Sequence, residues 1–179
     1  MAQDLIATNF YESGTRFSGT MENYEEVSNL TLTDDDRETL LKTQNECVFT
    51  WRTSDGWPIG IAMSYVWRDG KIWLTASSQR PRIRAVRRDD RVSVAISSAG
   101  TRIPPATVTI KGHCAILEDV ATKQWFYPAL AAALIPSNQK QQAGFVRMLD
   151  SPRRVVMCVT PQRFITFDGR KMGQLGVGS

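Results

Sequence analysis

Two tight-turn dipeptides, Asp55-Gly56 and Asp69-Gly70, constrain this chain more than any other feature. They punctuate "ECVFTWRTSDGWPIGIAMSYVWRDGKIWLTAS", residues 46–77, a run otherwise rich in β-branched and aromatic side chains. Asp-Gly supplies the positive φ values that short hairpin loops require, so each dipeptide reads as a reversal between antiparallel strands. Three strands are expected over this stretch. Parallel neighbours would need long crossover connections that tight turns do not provide.

The rest of the chain extends the pattern. Residues 79–88 read as a helix with Ile83 and Val86 on one apolar edge and arginines on the other faces. "RVSVAISS" and "ATVTIKGHCAIL" alternate as a fourth and a fifth strand. In the fifth, a period of two puts Val108, Ile110, Gly112 and Cys114 on one face and Thr107, Thr109, Lys111 and His113 on the other. Upstream, Thr33 is a good N-cap and Asp34, Asp35 and Asp36 favour a first helical turn, with Leu40 and Leu41 as its apolar face. That helix should end near Gln44 or Asn45. Downstream, a helix over 119–134 is interrupted at Pro128, and a second covers 137–149 with Phe145, Met148 and Leu149 as core side chains. "RRVVMCVTPQRFITFDG" supplies a last strand or strand pair. The expected fold class is mostly β with peripheral helices, an antiparallel barrel with the helices packed outside. The expected organisation is an irregular arm over 1–32 and one domain over 33–179.

Charge narrows the function classes. The net charge of +4 is concentrated between Leu74 and Ser97, where Arg80, Arg82, Arg84, Arg87, Arg88 and Arg91 crowd together. Such a local excess suits an anion site. No aromatic residue interleaves with it, so a nucleic-acid surface is not expected. Cys47, Cys114 and Cys158 are odd in number and lack C-x-x-C spacing, which reads as buried thiols in a reducing compartment. The single histidine, His113, has no second histidine for a metal set and no nucleophile elbow to serve. Neither a phosphate-loop nor a G-x-G-x-x-G motif occurs. An enzyme without its own acid-base machinery borrows chemistry from a cofactor. No basic, apolar leader opens the chain and no apolar run reaches membrane-spanning length, so a cytoplasmic protein without a membrane partner is expected.

Thr75, Ser77 and Ser78 place hydroxyls at a strand end just before the basic helix. Together with Arg80, Arg82 and free helix N-terminal amides they make a phosphate cradle. Arg84, Arg87 and Arg88 lie further along and face solvent. Trp125, on the helical insertion, is either a pocket wall or an ordinary core aromatic. Lys171 is a solvated lysine or reaches an anionic tail.

The run from Cys47 to Ser97 resembles the pyridoxamine-phosphate-oxidase-like family of FMN-binding split β-barrels. The likeness lies in its spacings. A strand leads to Asp55-Gly56-Trp57-Pro58, a second to Asp69-Gly70, a third ends in Leu74-Thr75, and the basic helix precedes Arg91-Val92. It covers residues 46–117 and, more weakly, "FITFDGRKM". The resemblance implies a homodimer with two interfacial cofactor sites and an FMN-dependent oxidoreductase acting on a small organic substrate. It implies that Thr75 and the basic loop hold the flavin phosphate. Arg82 matches a position often occupied by lysine, and Arg80 falls in the preceding phosphate loop. Ile59, Gly60, Ile61 and Ala62 match the segment whose backbone lines the isoalloxazine ring. Thr107 matches a contact to flavin from across the dimer. The strand aromatics Trp67 and Trp73, which a lone barrel would expose, also favour a dimer. Two departures stand out. Pro81 interrupts the usual basic pair, and the C-terminal arginine and histidine substrate contacts of the oxidase proper are not found. A relative with another substrate is therefore expected, its catalytic side chains unassigned. The same fold also uses the deazaflavin coenzyme F-420, and some split barrels bind or degrade haem, for which His113 would be the axial ligand.

Overall fold

Both turns form with the backbone that their residues favour. Asp69 and Gly70 hold φ of 53° and 69°, and Gly56 holds 94°. The computed structural model describes residues 28–175. Helix α1 (Asp34–Thr43) is followed by β1 (Glu46–Arg52), β2 (Pro58–Ser64), β3 (Val66–Arg68), β4 (Lys71–Ser77) and α2 (Pro81–Arg88). Then come β5 (Arg91–Ser97), β6 (Ala106–Leu117), α3 (Val120–Leu134), α4 (Gln139–Leu149), β7 (Arg154–Asp168) and α5 (Gly169–Leu175). Thr33 caps α1, its hydroxyl accepting from the Asp36 amide at 3.1 Å.

The strands form one seven-stranded sheet in the order β2-β1-β5-β6-β7-β4-β3, antiparallel throughout. This order explains why residues 46–77 hold four strands and not the three expected. β2 pairs with β1 at one edge of the sheet and β3 pairs with β4 at the other. Only Tyr65 separates them, so the sheet must curl until its edges nearly meet. Tyr65 is 1% exposed. Its amide donates to the Asn45 carbonyl and its hydroxyl to the Leu41 carbonyl, both at 3.0 Å. A buried aromatic whose polar groups bond outside the ladder ends one strand and starts the next. The result is a split β-barrel with helices outside.

The barrel core takes Phe49, Leu74, Val94, Ile96, Ile110 and Met157 from successive strands, together with Leu40 and Leu41 of α1 and Ile83 of α2. β6 divides its faces as its alternation dictates, with Val108, Ile110, Gly112 and Cys114 buried. A register shift in the β6–β7 ladder falls between Lys111 and Gly112. A Cβ on Gly112 would lie 2.5 Å from the Thr160 carbonyl oxygen, so this position requires glycine.

A second apolar cluster lies on the other face of β4 and β7. It gathers Phe126, Tyr127, Leu130, Leu149 and Val156, flanked by Trp73 and Trp125, whose rings meet edge-on at 4.8 Å. Trp125 thus packs as an ordinary cluster aromatic. Trp67 is half-buried as well, edge-on to Phe164 and donating from Nε1 to Glu38 at 2.9 Å. The α3–α4 hairpin therefore covers outer barrel surface, and β4 is sandwiched: Ile72, Leu74 and Ala76 face the core, while Trp73, Thr75 and Ser77 face the hairpin side.

Several element details differ from expectation. α3 runs unbroken through Pro128, because its buried residues on both sides, Phe126, Tyr127, Leu130 and Ala131, hold it to the sheet. α2 starts at Pro81 with Arg80 as N-cap, since proline suits the first helical position. Met148 is 59% exposed rather than core. The last segment is one long strand, β7, which pairs with β4 from Arg154 to Val159 and with β6 from Val156 to Asp168. Of the arm over 1–32, residues 1–27 lie outside the described residues. Leu30 is buried and accepts from the Asp168 amide. All three cysteines are buried free thiols, and burial pushes Cys47 up to about 12. No helix among the described residues is long and apolar enough to cross a membrane.

Candidate functional site

Beside the end of β4, between the barrel and the α3–α4 hairpin, lies a cleft of about 260 Å³. Its polar wall is Ser64, Thr75, Arg82 and Arg154, and its apolar wall includes Leu130, Leu134, Phe145 and Met148. No carboxylate lines it.

Each polar residue is placed by a different element. Thr75 points to the hairpin side of β4, and its Oγ1 donates to the Val155 carbonyl at 2.8 Å. That bond ties β4 to β7 at the point where the register pairs Ser77 with Arg154. Arg82 comes from the first turn of α2, whose apolar side buries Ile83, Ala85 and Val86 in the barrel. Arg154 opens β7, its amide donating to the Ser151 carbonyl at 2.9 Å. Just beyond, the Ser78 amide donates to the Arg153 carbonyl at 2.7 Å.

The electrostatics are unbalanced. The Nε atoms of Arg82 and Arg154 are buried and without a hydrogen-bond partner. Burial, and then the neighbouring charges of Arg80 and Arg154, hold the Arg82 guanidinium below its ordinary pKa. Among the described residues, other arginines either meet a carboxylate, as Arg87 does Glu118 at 2.8 Å, Arg91 Asp89 at 2.8 Å and Arg170 Asp168 at 2.7 Å, or are exposed, as Arg80, Arg84 and Arg153 are. An unpaired buried donor costs free energy, and adjacent like charges repel. An anion in the cleft would satisfy both. The arrangement fits a phosphate ester, whose oxygens accept from guanidinium N–H groups.

The structure brings together part of the expected site. Thr75 and Arg82 share the cleft, and the end of β2 joins them through Met63 and Ser64. Ile59, Gly60, Ile61 and Ala62 precede these on the same edge strand, which among the described residues pairs only with β1. Arg80 is exposed at the N-cap of α2, and Ser77 accepts a long bond from the Gln79 amide at 3.5 Å. Thr107 stands apart, lining a separate cleft with Ser97, Thr101 and Phe167 near the β5–β6 loop. Arg84 is exposed, Arg87 is paired with Glu118, and Arg88 donates to the Arg52 carbonyl at 2.6 Å. His113 lies on the exposed sheet face with Nδ1 3.1 Å from Asp90. Lys171 donates to the Thr31 carbonyl at 2.7 Å and so serves chain packing. Arg154 was missed by sequence reasoning. Its only signal is a pair of arginines placed directly before an apolar strand.

A family model described as pyridoxamine 5'-phosphate oxidase matches residues 32–168. Curated proteins give no match. Among solved structures, a conserved hypothetical protein of Mycobacterium tuberculosis aligns with a TM-score of 0.71 at 21% identity, covering 82% of this chain and 91% of its own. An FAD-binding protein of Mesorhizobium loti aligns at 0.55 with 14% identity, covering 76% of this chain and 94% of its own. An F-420 reductase aligns at 0.50 with 19% identity, covering 72% of this chain and 94% of its own. At such identities the likeness to these structures shows the fold.

Proposed function

The chain belongs to the pyridoxamine 5'-phosphate oxidase family, and from that premise we propose that it is an oxidoreductase using flavin mononucleotide at a dimer-interface site. The observation that carries the reading is the cleft with two buried, unpartnered guanidinium nitrogens beside Thr75. A terminal phosphate is the part of the cofactor these residues suit. When bound, the flavin ring supplies hydride exchange with a small organic substrate. Hydride exchange demands no protein general base, which agrees with a polar wall of hydroxyls and guanidinium groups.

In this reading Arg82 neutralises the phosphate and Arg80 adds charge at its rim. Thr75 fixes the spacing of β4 and β7 beneath it. The backbone of Ile59 to Ala62 lies on a strand whose outer edge pairs with no other strand among the described residues, so its N–H and C=O groups there can meet the polar rim of the ring. Gly60 keeps this segment close to β1: a Cβ there would lie 2.9 Å from Val48 Cγ1. Thr107 is too far along the sheet to share the cleft, and it acts on the partner's cofactor.

A second reading keeps the site and changes the cofactor to the deazaflavin F-420. It is favoured by Arg80 and Arg153, both exposed and without an ion pair among the described residues. They carry positive charge past the cleft, where a longer anionic tail would run.

Reconstitution of the purified protein tests the function. After incubation with FMN or F-420 and desalting, one of the two should remain bound in stoichiometric amount and be reduced or oxidised by a hydride donor or acceptor. Retention of neither, or a Soret band on incubation with haem in their place, overturns the reading.

A further inference from the structure

Resting on the flavin-type reading above, we propose that Arg154 is a third residue of the cofactor's phosphate site, forming with Arg82 a two-guanidinium seat for the phosphate ester of the tail. Both side chains line the same cleft, and both present a buried Nε–H that no protein group accepts. Arg82 feels Arg154 as a neighbouring positive charge. No carboxylate in the cleft separates them. Among the described residues Arg37, Arg52, Arg68, Arg87, Arg91 and Arg170 meet a carboxylate, and the other arginines that do not are exposed, so Arg82 and Arg154 stand apart as half-buried cations without one.

The scaffold holds Arg154 in place from several directions. Pairing of Ser77 with Arg154 sets it at the β4 end, the Thr75 hydroxyl clamps the next residue, Val155, and the Arg154 amide is tied to Ser151. Two guanidinium groups whose backbones are fixed before the ligand arrives lose little freedom on binding. A phosphate ester relieves the repulsion and gives acceptors to both donors. The competing role is structural: a long side chain whose stem covers the apolar lining of the cleft, such as Leu130 and Leu149. The two roles differ in sign. Removing a packing arginine lowers stability, whereas removing one of two repelling cations from the unliganded protein leaves stability unchanged or raises it.

The test uses full-length protein freed of cofactor, with Arg154→Met, Arg154→Lys and, as a control on the exposed side of α2, Arg84→Met. Each is titrated with FMN, riboflavin and F-420 by fluorescence and melted without ligand. Arg154→Met should weaken binding of the phosphate-bearing cofactor tenfold to a hundredfold and riboflavin less than twofold. Arg154→Lys should recover part of the loss, Arg84→Met should match wild type, and the ligand-free melt of Arg154→Met should not fall. The arms also identify the ester. A monoester such as FMN binds more tightly as pH rises through its second ionisation near 6, and a diester such as F-420 shows no such step. If wild type prefers FMN to riboflavin and Arg154→Met keeps that preference, the assignment of Arg154 is overturned while the phosphate cleft stands. If Arg154→Met melts well below wild type, Arg154 is a structural residue and the assignment is likewise overturned. If wild type binds riboflavin as well as FMN and does not bind F-420, the underlying reading fails instead.

Discussion

Arg82 and Arg88 share one helix and differ in everything that matters to an anion. Arg82 lies in the cleft with an unpartnered Nε, whereas Arg88 already donates to the Arg52 carbonyl at 2.6 Å. Arg82→Ala should weaken FMN binding by roughly 1.5–3 kcal/mol, the scale of a hydrogen bond to a charged group. Arg88→Ala should weaken it far less. Flavin fluorescence titrations of both variants read the contrast, and equal small losses would make the arginines of α2 a solvated face. The Thr75 to Arg82 half of the cleft was legible because it is local: a strand end, a short loop and a basic helix follow one another in sequence. Arg154 was not, because only the antiparallel pairing of β4 with β7 carries it there. Nothing in a linear pattern says which distant strand will lie beside Ser77. Thr107 lies on the exposed face that alternation gives it, in a cleft apart from Thr75, and alternation alone does not give the distance along the sheet.

At the scale of elements, alternation and turn chemistry read well, and what escaped was tertiary. The split at Tyr65 follows from where β2 and β3 must go, and Pro128 is tolerated because its neighbours are buried on the sheet. A third tertiary device joins the ends of the barrel. Asp168, buried at the end of β7, accepts from the Arg170 Nη2 at 2.7 Å, and the same nitrogen reaches Asp36 of α1 at 2.7 Å. These bonds from Arg170 hold the carboxyls of both Asp168 and Asp36 below the usual range. A carboxyl held low in the folded state stabilises it once deprotonated. The contribution is complete above about pH 4, where the unfolded chain has also lost the proton, and is lost as pH falls through the lowered folded value. Asp168→Asn should therefore melt a few degrees below wild type at pH 7. The gap should narrow steadily below pH 4, and thermal melts from pH 2 to 7 measure it. A gap that stays constant over that range would mean that the side chain acts through packing and not through its charge.

On the whole molecule, the expectation of a dimer meets a particular surface. Where the α3–α4 hairpin does not reach, the outer sheet face is open, and one cross-strand row runs Ala62, Val48, Ala95, Thr109, Ile165 over five strands. Val48 is 44% exposed and Ile165 51%, an uncharged stripe of the kind that marks association surfaces. The next row runs Gly60, Thr50, Ser93, Lys111, Arg163, so cations border the stripe at the β6–β7 end. Thr107 and Phe167 lie on this open face, away from the Thr75 cleft, which is where a residue serving a partner's cofactor has to be. If two copies meet here, Ile165→Glu buries an unpaired carboxylate in the contact, a change that one copy alone would barely notice because exposed substitutions shift stability by about 0.5 kcal/mol or less. Wild type should sediment at about twice 20.1 kDa and Ile165→Glu at the mass of one chain, with cofactor affinity falling at least tenfold alongside. Val120→Glu, on α3 and more exposed still at 68%, should change neither. A wild-type monomer that binds cofactor at full affinity would remove the shared site and leave Thr107 without a role in it.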